Sequence, residues 1–99
     1  MRRVALVGAG LVGAGWAIVF ARAGFAVVLH DAQAGQAKRA LRGIDASLAD
    51  LQHLGLLREP PGTIAARISV AGTLESALEG AEYVQESIVE RIEAKQRLY

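Results

Sequence analysis

Arg3-Val4-Ala5-Leu6-Val7-Gly8-Ala9-Gly10-Leu11-Val12-Gly13 is the stretch of this 99-residue chain that decides its fold. An aliphatic, partly β-branched run that breaks at a glycine is the pattern of a short strand covered on both faces. From Leu11 to Ala23 the larger apolar residues Val12, Trp16, Val19 and Phe20 recur at spacings of three and four, which predicts a helix with these residues on one face. Gly24 supplies its stop. A second apolar run, Ala26 to Leu29, ends at His30-Asp31. A strand joined to the next strand through one helix crosses over right-handedly and pairs in parallel, so the first third of the chain reads as a βαβ unit.

Composition sets the wider frame. Hydrophobic residues make up 53% of the chain and charged residues 21%, the balance of a packed globular domain rather than a disordered one. Eleven basic and ten acidic side chains leave a formal charge of +1, so no global field recruits nucleic acid or an anionic membrane. The absence of cysteine removes disulfide frameworks, thiolate metal sites and cysteine nucleophiles, and fits a cytoplasmic protein. Met1-Arg2-Arg3 and the apolar run after it superficially copy a secretory leader. Gly8, Gly10, Gly13 and Gly15 interrupt that run, so a buried strand is expected instead. No segment reaches the ~18 uninterrupted apolar residues of a membrane span.

Beyond Asp31 the pattern lengthens. Between Ala34 and Leu57 the residues Ala37, Leu41, Ile44, Leu48 and Leu51 mark a long amphipathic helix, inserted after the second strand. Gly55 and Glu59-Pro60-Pro61-Gly62 are expected to end it in a loop. Arg67 to Ala71 reads as a third strand, Leu74 to Leu78 as a short helix closed by Gly80, Tyr83 to Ile88 as a fourth strand, and Glu90 to Tyr99 as the start of a further helix. Nothing after Glu93, Lys95 and Arg97 stops that helix, and doubly wound sheets of this kind have about six strands. The expected fold is therefore α/β: a Rossmann-type doubly wound parallel sheet, incomplete at the C-terminus, with residues 1–99 as the N-terminal part of a dinucleotide-binding domain.

The glycines carry the chemistry. Gly8 permits the tight turn out of the strand, Gly10 lets the backbone approach a pyrophosphate, and Gly13 lets the helix pack close to the sheet. The open amides and positive dipole of the helix N-terminus then face the phosphates. Asp31 lies eighteen positions beyond Gly13, where a carboxylate accepts from the adenosine ribose hydroxyls and repels a 2′-phosphate. Ala32 and Gln33 offer no arginine to receive such a phosphate, so NAD is favoured over NADP. The competing role for Asp31 is an N-cap on the following helix. His30 belongs to a strand end on the adenosine side and is not read as catalytic; His53 is read as a surface residue. No metal site and no Ser, His and Asp arrangement stand out.

Val7-Gly8-Ala9-Gly10-Leu11-Val12-Gly13-Ala14-Gly15-Trp16-Ala17, the strand ending in Asp31, the helical insertion, and Val84-Gln85-Glu86-Ser87-Ile88-Val89-Glu90 together resemble the N-terminal domain of 3-hydroxyacyl-CoA dehydrogenases. The resemblance runs the length of the chain and leans toward the branch that contains lambda-crystallin, or L-gulonate 3-dehydrogenase. It implies NAD-dependent oxidation of a 3-hydroxy to a 3-keto group, with the nucleotide held at positions that fall on Leu11, Val12, Asp31, Glu90 and Lys95. Helical spacing would put Lys95 on nearly the same face as Glu90. It also implies a homodimer in the full-length protein, acting on a small 3-hydroxy acid or a 3-hydroxyacyl-CoA, with no nucleic-acid or membrane partner.

Two departures shape that expectation. Acyl-CoA members place a serine and, seven residues later, a lysine in the helical insertion to meet coenzyme A; Ser47 fits the first position and Leu54 occupies the second. The missing cation moves weight toward small hydroxy acids. The family's catalytic His and Glu come from sequence after the fourth strand and its helix, so no catalytic residue is assigned in this chain. A stand-alone NAD(H)-sensing regulatory module, which uses the same fingerprint without chemistry, is the alternative from another functional class.

Overall fold

A computed structural model describes residues 2–8, 11–33 and 35–86. Four parallel strands form one sheet in the order β3-β2-β1-β4. Strand β1 (Arg3–Val7) leads through helix α1 (Leu11–Arg22) to β2 (Ala26–His30), then through α2 (Gln36–His53) and α3 (Pro61–Ala65) to β3 (Ile68–Val70). Helix α4 (Leu74–Leu78) carries the chain back across the sheet to β4 (Tyr83–Glu86), on the other side of β1. This is the doubly wound arrangement expected from the βαβ pattern, and the inserted helical segment after β2 is present as α2 and α3.

Side-chain alternation divides the core between the two faces of the sheet. Val4, Leu6, Val27, Leu29 and Ile68 pack with Ala17 and Ala21 of α1, with Ala37, Ala40, Ile44 and Leu48 of α2, and with Ile64 of α3. Ala5 and Val28, the intervening strand residues, are buried outside that cluster, and α4 lies against β1 and β2 with Ala77 fully buried.

Residue size does not decide which residues of α1 are buried. Trp16 is 41% exposed and Val19 55%, whereas Ala17 and Ala21 are completely buried. A helix that crosses two parallel strands at short range has room only for small side chains at the line of contact, so the bulky residues move to its flanks. Phe20 turns to the β4 side, where its ring stands 5.9 Å from Trp16, 5.7 Å edge-on from Phe25 and 5.8 Å from Tyr83. Gly24, at φ 97°, then reverses the chain into β2.

The proline pair behaves differently from a plain loop. Pro61 opens α3 and Pro60 precedes it as N-cap, because a residue at the first helical position needs no amide hydrogen and the ring presets its φ. The third strand is shorter than the Arg67 to Ala71 expected, and Ser87 and Ile88 of the expected fourth strand lie outside the described residues. Arg67, just before β3, ties three elements together: Nη1 donates to the Ala21 carbonyl at 2.9 Å and to Glu59 Oε1 at 2.7 Å, and Nη2 donates to Glu59 Oε2. These hydrogen bonds first, and the guanidinium charge after them, hold the Glu59 carboxyl below the ordinary glutamate range, while partial burial acts the other way.

Two outcomes follow for stability, both read from urea unfolding. Ala17→Leu forces three extra carbons into the α1–sheet contact and should cost about 1–3 kcal/mol, whereas Val19→Ala on the exposed flank should stay within ~0.5 kcal/mol. A depressed folded-state pKa means that the Glu59 contribution is present above its unfolded value and lost as pH falls through the lower folded one. The midpoint advantage of wild type over Glu59→Gln should therefore hold at neutral pH and shrink below about pH 4.5; an advantage that grows on acidification would contradict the assignment.

Candidate functional site

The parallel register sets the geometry of the site. Val7 pairs with His30 on one side and with Glu86 on the other, so β1, β2 and β4 end side by side at their C-terminal edge. From that edge the chain leaves β1 through Gly8 into α1 and leaves β2 through Asp31. The next strand after β1 lies to one side and β4 to the other, which makes the end of β1 the switch point where open α/β sheets bind ligands.

Gly8 adopts φ 89°, a left-handed conformation that disfavours any side chain, and so turns the chain sharply out of β1. Its amide donates to the His30 carbonyl at 2.8 Å, extending the β1–β2 ladder by one step. That hydrogen bond commits the Gly8 amide to the sheet. Leu11, Val12 and Gly13 form the first turn of α1, where the N–H groups have no partner within the helix. Gly13 stands about one and two helical turns before Ala17 and Ala21 in α1.

Asp31 follows β2 directly, with Oδ1 accepting from the Gln33 amide at 2.8 Å. This Asx-type turn fixes the carboxylate at the strand end. The N-cap role weighed for Asp31 belongs instead to Gly35, which precedes α2 with φ 80° and no side-chain capping bond. Of the other expected contacts, Gly10, Glu90 and Lys95 lie outside the described residues.

His30 has a structural partner: its Nδ1 is 3.0 Å from the Ala71 carbonyl oxygen, just beyond β3. Sequence alone offered no signal for that contact, because the two residues are 41 apart and the acceptor is main chain. Ser47 is exposed on α2, and Leu54, at its C-cap, is 68% exposed. Among the described residues no group of three or more His, Cys, Asp or Glu side chains is placed to hold a metal, and no helix is long and apolar enough to cross a membrane.

Comparison with known proteins agrees with this geometry. The family model described as "3-hydroxyacyl-CoA dehydrogenase, NAD binding domain" matches residues 3–99. The lambda-crystallin homolog of Rattus norvegicus is 36% identical over 97% of this chain and 31% of its own length. The L-carnitine dehydrogenase of Streptomyces griseus is 40% identical over 99% of this chain and 28% of its own length. Among solved structures, the 3-hydroxybutyryl-CoA dehydrogenase of Escherichia coli K12 superposes with a TM-score of 0.84 at 34% identity, covering 99% of this chain and 21% of that one. The chain thus spans about a third of the length of the lambda-crystallin homologs it matches. With its strand order, its glycine turn and a family match over nearly its whole length, the chain belongs to the NAD-binding domain family of 3-hydroxyacyl-CoA dehydrogenases.

Proposed function

We propose that Gly8, Gly10, Leu11, Val12, Gly13 and Asp31, with Glu90 and Lys95, form the NAD site of a dehydrogenase that oxidises a 3-hydroxy group to a 3-keto group. The observation that carries the reading is the register of β1 against β2, which sets Gly8 and Asp31 side by side beneath the N-terminus of α1. The first turn of α1 presents amides and a positive dipole end to a pyrophosphate. The Asp31 carboxylate, held by its turn, receives the ribose hydroxyls. NAD supplies the hydride acceptor when bound. The chain's own residues bind and orient it, and residues of the full-length protein outside this chain supply the base that takes the hydroxyl proton.

The substrate class follows from the insertion. At the position where acyl-CoA members carry a lysine toward the coenzyme, Leu54 presents an uncharged, exposed side chain. This supports a small 3-hydroxy acid as substrate, as does similarity to proteins named L-carnitine dehydrogenase and lambda-crystallin homolog. The full-length protein is proposed to be a cytoplasmic homodimer with a helical second domain.

Two measurements test these assignments. Asp31→Ala should raise the NAD dissociation constant about 10-fold or more, the weight of a charged hydrogen bond, and change that of NADP by less than about threefold; equal losses for both would sink the ribose assignment. Steady-state kinetics of the full-length protein should give a kcat/KM for a free 3-hydroxy acid about tenfold or more above that for a 3-hydroxyacyl-CoA. The reverse order would return the protein to the acyl-CoA branch.

A further inference from the structure

His30 joins three segments that converge on the nucleotide edge. Its carbonyl accepts from the Gly8 amide at 2.8 Å, its neighbour in sequence is Asp31, and its half-buried imidazole reaches the loop between β3 and α4. A carbonyl oxygen only accepts, so the 3.0 Å contact requires Nδ1 to carry the proton and donate to Ala71. The Ala71 amide in turn donates to the Leu29 carbonyl at 2.9 Å. The loop is thereby fastened at its origin by one main-chain and one side-chain bond, before Gly72 and the α4 N-cap Thr73. Leu29 points into the α1–α2 core, and alternation turns His30 to the α4 face, under the path of that loop.

We propose that His30 is a positioning residue for the cofactor: through Ala71 it holds the β3–α4 loop against the strand end that carries Asp31, and so sets the shape of the adenosine end of the site. The proposal rests on the NAD-site reading given above. Gly8 and Asp31 follow β1 and β2, and the segment that follows β3 reaches the same edge on the far side of β2 from β1. That segment has a three-residue strand behind it, Ile68–Val70, which among the described residues pairs with β2 alone. Without the imidazole donor the segment keeps the Leu29 bond but loses its brace at residue 71.

Isothermal titration of NAD and of ADP-ribose into wild type, His30→Asn and His30→Phe tests the assignment. The asparagine amide offers a donor near the position of Nδ1; phenylalanine fills the space without one. His30→Phe should weaken both ligands about threefold to tenfold, the range of one hydrogen bond, and His30→Asn should stay within about twofold of wild type. Phenylalanine binding both ligands as wild type does, or asparagine losing as much as phenylalanine, would overturn the proposal. Should His30→Phe fail to fold, the side-chain nitrogen spectrum of the wild-type protein decides: neutral His30 protonated at Nδ1 supports the brace, and the Nε2-protonated tautomer overturns it. If wild type itself binds neither NAD nor ADP-ribose, the nucleotide-site reading falls and the brace falls with it, a result distinct from loss in the variant alone.

Discussion

Close approach of α1 to the sheet governs the rest of this structure. Ala17 and Ala21 are fully buried in the core that α1 shares with the sheet. Only methyl side chains stand at those two positions, which lets the helix approach the sheet closely there. Bulkier side chains there would lift the helix and carry its open amides away from the strand ends. The same constraint explains the flanks. Phe20 turns toward β4 and gathers Trp16, Phe25 and Tyr83 around its ring.

Ordering of the strand ends depends on that central packing. β1 is paired on both edges, with β2 and with β4, and its register with each aligns Val7, His30 and Glu86. Parallel pairing requires crossovers, and the crossovers sort the helices: α1, α2 and α3 cover one face while α4 covers the other. The two directions of winding part at β1. The glycine turn and the acid therefore come to one edge through topology.

Much of this was legible in the sequence because its punctuation is local. Gly24 ends α1, Gly55 ends α2, and Thr73 accepts from the Ser76 amide at 3.1 Å to start the helix read at Leu74 to Leu78. Asp31 was found by its distance from the glycines, a spacing that one helix and one strand enforce. The failures share a physical origin. The spacing of large apolar residues marks α1 as a helix but does not say which residues meet the sheet, since Ala17 and Ala21 are fully buried while Trp16 and Val19 are exposed. Pro60-Pro61 read as a stop, although the second proline is well suited to begin a helix. The Arg67 contacts to Glu59 and to the Ala21 carbonyl are invisible to pattern, because one acceptor is a main-chain atom 46 residues away.

The hydrogen bond from Gly8 to His30 sharpens what the fingerprint does. The motif assigns Gly8 the tight turn, and its amide is spent on the β1–β2 ladder. Its φ of 89° turns the chain while that bond keeps the turn anchored to the strand carrying Asp31. The consequence is a division of labour along the chain. Gly8 sets direction, the first turn of α1 presents the amides, and the register of β2 sets how far the carboxylate stands from them. Changing the helix would move the amides alone, whereas slipping β2 by one residue would exchange its two buried faces and shift His30 and Asp31 along the edge together. Burial of Val27 and Leu29 on one face and Val28 on the other therefore protects the site as well as the core.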